Sequence, residues 1–170
     1  MIQAGAVSTI VQASVIAVCI LTSACEARRA DKAYLQGDYN KTVKELKYLA
    51  EQGDLRAQFD LGVLYDKGEG LPQNNHEAMV WYRRAAEQGE ARAQYNLGLM
   101  YANGQGVPQD VVEAYYWISL SAARGNAHAL DARDYYAATM TVDQVARAKQ
   151  RLGQHALEEK NAKGLDSKSF

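Results

Sequence analysis

Three histidines, two cysteines and a pair of glycine-bearing loops are the parts of this 170-residue chain whose chemistry could define a function. His76, His128 and His155 carry ring nitrogens suited to metals, but none stands in a His-x-x-x-His or Cys-x-x-Cys spacing that would bring two ligands together. They are expected to lie on the surface or beside helix caps. Gly68-x-Gly70 and Gly104-x-Gly106 invite comparison with phosphate cradles, which need a third glycine, a preceding strand and a following helix. Each pair here follows a helical stretch and runs into Pro-Gln, so each is expected to be a plain connecting loop. Asp131 and Asp134 share a helical face, which solvated polar surface explains. No catalytic, cofactor-binding or metal-binding set is expected, and therefore no enzyme.

The N-terminus differs in kind from the rest. Residues 1–24 contain no charged side chain, so all 19 basic and 20 acidic residues lie beyond Cys25. The stretch is apolar and rich in small residues, densest from Val15 to Leu21, and it ends Leu21-Thr22-Ser23-Ala24-Cys25, the shape of an export signal. That ending resembles the bacterial lipobox, which implies lipidation of the Cys25 thiol and a mature chain beginning there. Thr22 stands where leucine is usual, and the first basic residues, Arg28 and Arg29, follow the apolar run instead of preceding it. In a retained anchor that arrangement favours a cytoplasmic C-terminus. However, Gln3, Ser8, Thr9, Gln12 and Ser14 interrupt the run, leaving less than the roughly 20 apolar residues that a span requires. The expectation is an exported, periplasm-facing lipoprotein, with Glu26 in place of aspartate after the cysteine pointing to the outer membrane. Cleavage after Ala24 without lipidation, a retained anchor and an incorrectly assigned start codon are the alternatives. With Cys19 removed and Cys25 acylated, no thiol is left for nucleophilic work or a disulfide. A net charge of -1 offers no basic footprint for nucleic acid.

What positions the remaining side chains is an internal repeat. The segment from Ala50 to Gly62 recurs 36 residues on, from Ala86 to Gly98. The register continues through Tyr65 and Tyr101, Gly68 and Gly104, Gly70 and Gly106, Glu77 and Glu113, and Ala78 and Ala114. It also captures both prolines, Pro72 and Pro108, and both tryptophans, Trp81 and Trp117. Each unit reads as two antiparallel helices. Ala57, Leu61, Leu64 and Tyr65 fall on one face of the first. Gly62 and Gly98 lie inside it, where glycine costs about 1 kcal/mol against alanine, so a close helix approach is expected there. The glycines and proline of residues 68–72 end it. Asn74 with Glu77, and Asp110 with Glu113, have the spacing of a capping box at the start of the second helix. Ala78, Trp81, Tyr82, Ala85 and Ala86, and likewise Ala114, Trp117, Ile118, Ser121 and Ala122, form its buried stripe, and Gly89 and Gly125 supply left-handed C-caps.

The Ala57, Leu61, Gly62 and Tyr65 core, the Gly-x-Gly-Leu/Val-Pro-Gln loop and the Ala78–Trp81 pair, repeated at Ala93 to Trp117, resemble the Sel-one-like repeat, a cousin of the tetratricopeptide repeat. The resemblance covers about residues 33–152. It implies an all-α fold, a right-handed α/α solenoid of tandem antiparallel helix pairs forming a tetratricopeptide-like superhelix. It further implies a binding scaffold. The disulfide-bearing branch of the family, associated with penicillin binding and weak hydrolysis, needs cysteines that the repeats of this chain lack, since Cys19 and Cys25 both lie in the expected signal and lipobox.

Terminal units of a solenoid bury one face only and are expected to depart from the pattern. At the front, Ala33 to Tyr39 replaces the glycine loop with a tight turn before a helix from Lys41 to Gln52. At the back, Asp134 stands at the position of Gly98, and Met140 and Val142 stand at those of Gly104 and Gly106; Thr141 and Gln144 then cap a closing helix. The expected organisation is a signal at 1–24, a tetratricopeptide-like pair at 28–53, repeats at 54–89 and 90–125, a partial repeat and capping helix at 126–154, and a disordered tail at 155–170. The candidate partner-binding residues are Arg56, Asp60, Arg92 and Asn96, with Tyr115 and Tyr116. The earlier repeat has Met79 and Val80 at the positions of that tyrosine pair, which either packs against the terminal cap or anchors a partner. The function expected is a monomeric, non-enzymatic adaptor for a protein partner in the envelope. A periplasmic immunity protein blocking a toxin is the alternative, and a cell-wall hydrolase is the reading from a different class.

Overall fold

A computed structural model describes residues 39–166, with side chains from 43 to 162. The expected signal at 1–24, Cys25, Arg28 and Arg29, the front turn at 33–38 and the last four residues lie outside the described residues. Seven helices and no strand occur among those described. The fold is all-α, made of tandem helix pairs, in two compact units that divide between Gln73 and Asn74.

The first unit holds α1 (Tyr39–Glu51) and α2 (Leu55–Lys67). They run antiparallel because the link between them is one tight turn, with Gly53 at φ 90° and the Asp54 amide donating back to the Leu49 carbonyl at 3.0 Å. Asp54 then caps α2, its carboxylate accepting from the Ala57 amide at 2.8 Å. Buried Gln58 ties the pair together by donating to the Ala50 carbonyl at 3.2 Å. After α2, Gln73 reaches back to the Asp66 carbonyl at 2.8 Å, which folds the proline-bearing loop onto the end of the helix.

The second unit contains α3 (Asn75–Glu87), α4 (Ala91–Asn103), α5 (Val111–Ala123), α6 (Ala127–Thr139) and α7 (Val142–Asp166). Each of α3, α4 and α5 packs on the next, and α7 packs on α5. The local devices of the first unit return at the same spacing. Gln94 donates to the Ala86 carbonyl at 3.0 Å, Gln109 to Ala102 at 2.7 Å, and the Glu90 amide to Ala85 at 2.9 Å. Fully buried Ala78, Ala85, Ala93, Leu97, Ala114 and Ile118 form the core. The glycine inside α4 is there for contact: a Cβ on Gly98 would lie 2.6 Å from Ile118 Cγ1 and 3.1 Å from the Ala114 carbonyl oxygen. Gly106, at φ 73°, is equally constrained, its Cβ position 2.6 Å from the Asn75 carbonyl oxygen.

The helix starts differ in one respect from the capping boxes expected. Asn74 and Asp110 each accept two backbone amides, but the Glu113 carboxylate is taken by Arg151 of α7 at 2.5 Å. The reciprocal box forms fully at α7, where Thr141 and Gln144 each bond the other's amide, at 2.8 and 3.3 Å. A second correction concerns the tail expected to be disordered from residue 155. It is helical through Asp166. Ala156, Leu157, Glu158, Glu159 and Lys160 are strong helix formers, so the helix propagates with little burial, helped by Glu159 pairing with Arg124 of α5's C-cap at 3.1 Å.

Candidate partner-binding surface

The last helix pair leaves apolar side chains uncovered. In α6 only Ala129 is fully buried, whereas α4, its counterpart one repeat earlier, buries seven residues. Leu130 occupies the place of the buried Gln58 and Gln94 and stands 44% exposed; Tyr135 is 64% exposed. Tyr95 and Leu99 of α4 and Ala132 and Tyr136 of α6 are half-buried against Ile118, Ala122 and Ala129. The rings cluster: Tyr95 and His128 are 6.4 Å apart, and Tyr135 meets Tyr136 edge-on at 5.2 Å. Burial first, and then the neighbouring Tyr135 and Tyr95, hold the Tyr136 hydroxyl above its ordinary value, so it stays a neutral donor. Tyrosine and histidine side by side give apolar area with polar tips, a composition suited to protein contact.

The residues singled out in the sequence fall at several places. Arg56 and Asp60 pair along α2 at 3.5 Å in the first unit. Arg92 is held by Glu90 at 2.6 Å at the start of α4, and Asn96 is half-buried one turn on, beside Tyr95. The tyrosine pair splits. Tyr115 lines an open groove between α5, α6 and α7, whereas Tyr116 is buried and committed to the cap. The Arg151 guanidinium lies 4.3 Å over the Tyr116 ring, and Trp117 and His155 meet its edges at 5.0 and 6.0 Å. This clasp shifts both acids in it. Glu113 is pushed above the usual carboxylate range by burial, with Arg151 opposing, and burial raises Tyr116 likewise. Sequence reasoning missed Tyr95, His128, Leu130, Tyr135 and Tyr136. The signal was available, because the positions of Tyr135 and Tyr136 hold Leu99 and Met100 one repeat earlier and Val63 and Leu64 before that.

Among the described residues, no group of three His, Cys, Asp or Glu side chains is arranged to hold a metal, and no helix is long and apolar enough to cross a membrane. The Sel1 repeat model matches at residues 55–90 and again at 91–126. The chain thus carries two Sel1 repeats. Solved structures with the same fold include a protective antigen present in uropathogenic Escherichia coli strains, displaying an SLR fold, and a Sel1 repeat protein from Oxalobacter formigenes. The first is 28% identical with a TM-score of 0.73, and the alignment covers 78% of this chain and 29% of that one. The second is 38% identical with a TM-score of 0.61, covering 64% and 45%. The chain thus spans under half the length of either neighbour. No curated protein sequence matches it. Sel1-repeat proteins serve in general as scaffolds for protein partners, so the Tyr95–Tyr136 face is placed on a fold of that use.

Proposed function

We propose that this Sel1-repeat protein is a non-enzymatic adaptor of the bacterial envelope, exported, lipidated at Cys25, and binding a protein partner through the aromatic face of α4 and α6. The observation that carries the binding half is the exposure of Tyr135 and Leu130 beside the half-buried Tyr95, Leu99 and Tyr136. Side chains of this size are left in water at a cost that covering them would recover, at about 25 cal/mol per Å² of apolar area. Arg92 and Asn96, on the same helix as Tyr95, supply a polar rim. The export half rests on the uncharged residues 1–24 and the Leu21-Thr22-Ser23-Ala24-Cys25 ending.

Intact mass and fractionation of the chain from a bacterial host, beside Cys25→Ser, test the export half. Loss of residues 1–24 with an acyl adduct, abolished by the substitution, is the expected result. An uncleaved and unmodified chain in the soluble fraction refutes it.

A further inference from the structure

The groove that Tyr115 lines is separate from the aromatic face, and its charges do not cancel. α5 contributes Tyr115 and Ser119, α6 the neighbours Arg133 and Asp134, and α7 Lys149 and Leu152, around an open space of about 540 Å³. Arg133 is already engaged, donating to Asp134 at 3.0 and 2.8 Å. Lys149 is the cation left over: among the described residues no carboxylate lies within ion-pair distance of its ammonium. Two cations and one carboxylate give the groove a net positive charge. A second group is also unmatched. Ser119, on the groove wall, has its Oγ shielded from solvent with no hydrogen-bond partner. The remaining wall, the Tyr115 ring and the Leu152 side chain, is apolar.

We propose that this groove receives a peptide segment of the protein partner bearing a carboxylate side chain next to an apolar one. The carboxylate accepts from the Lys149 ammonium and the Ser119 hydroxyl, and the adjacent apolar side chain lies on Tyr115 and Leu152. The arrangement satisfies both unmatched groups at once, and a partly covered groove makes the charge-assisted bond stronger than one on open surface. Asp134 sets the specificity in the opposite sense, repelling a peptide with two adjacent carboxylates. The proposal deepens the adaptor reading and rests on it, but it concerns a different surface from the aromatic face.

The probe is an acetylated and amidated pentapeptide containing Glu-Leu between glycines, titrated into the full-length chain while backbone amide shifts are followed by NMR. A Gln-Leu peptide serves as its neutral twin. The expected result is saturable shifts at residues 115, 119 and 152, with binding weakened about fivefold for the neutral peptide. Lys149→Gln should weaken the Glu-Leu peptide by the same factor and change the Gln-Leu peptide little, whereas Ser119→Ala should weaken both, because the Gln amide oxygen also accepts from the hydroxyl. Lys160→Gln, also on α7 but outside the groove, should change neither. Equal affinity for the two peptides, shifts that map elsewhere, or no saturable binding each overturns the proposal. Cross-linking from Tyr135 reports on the aromatic face independently, so a failure here is distinct from failure of the adaptor reading.

Discussion

Replacing Gly98 with alanine isolates the contact on which the repeat geometry depends. In a solvated helix the change is favourable by about 1 kcal/mol, because alanine is the better helix former. In α4 the new Cβ would sit 2.6 Å from Ile118 Cγ1, 3.1 Å from the Ala114 carbonyl oxygen and 3.2 Å from the Ile118 amide nitrogen. Ile118 is fully buried and cannot swing aside, and two of the three atoms are backbone, so α4 and α5 must part. Overpacking of that kind costs about 2–3 kcal/mol, which leaves a net loss of about 1–2 kcal/mol after the propensity gain. Gly153 in α7 is the internal control, since a Cβ there meets nothing within 4 Å. Gly153→Ala should stabilise by up to about 1 kcal/mol. Thermal unfolding followed by circular dichroism separates the two, at about 2–4 °C per kcal/mol for a chain of this size. Amide exchange along α4 and α5 locates the loss if the units unfold separately. The penalty should shrink in an Ile118→Ala background, because the nearest clashing atom is gone. Stabilisation by Gly98→Ala equal to that by Gly153→Ala would refute the close approach as the reason for the glycine.

Three further outcomes follow from the same contacts. Gln94→Leu keeps the volume but removes one donor to the buried Ala86 carbonyl, which still accepts from the Gly89 amide at 2.9 Å, and should cost about 1 kcal/mol in urea denaturation. Asp110→Ala removes the carboxylate oxygen that accepts from two backbone amides at the start of α5 and should cost about 1 kcal/mol by the same assay. Glu113 has a folded-state pKa raised above its ordinary 4.5, mainly by burial, so the folded chain holds that proton more tightly than the unfolded one. Its contribution is present below the unfolded value and is lost as pH rises through the folded one. The stability of the natural chain relative to Glu113→Gln should therefore fall as pH is raised from below 4.5 towards neutrality; a difference that grows over that range would show Arg151 outweighing desolvation.

The repeat was legible because its signals are local and redundant. Pro108, Asp110 and Gly125 each act within a few residues of their own position, and each, like Gly98, recurs or has a counterpart in the neighbouring unit. Thr141 and Gln144 disclosed the start of α7 for the same reason. The end of α7 was not legible, since the residues after 155 lack apolar periodicity and stay helical through propensity and the Arg124–Glu159 pair, which spans 35 residues of sequence. The site was half visible. The departure of Tyr115 and Tyr116 from Met79 and Val80 stood out, but only the packed chain separates a buried ring clamped by Arg151 from one that lines a groove. The exposed face of α6 depends on which helix lacks a neighbour, a property of the ending of the array and not of any one residue in it.

The most direct test of the binding claim is site-specific photocross-linking in living cells, with a photoreactive phenylalanine analogue placed at Tyr135 and, as a control, at exposed Gln150 of α7. One discrete protein adduct is expected from position 135, lost when Leu130→Asp is added, and none from position 150. No adduct at 135, or the same adducts from both positions, would contradict it.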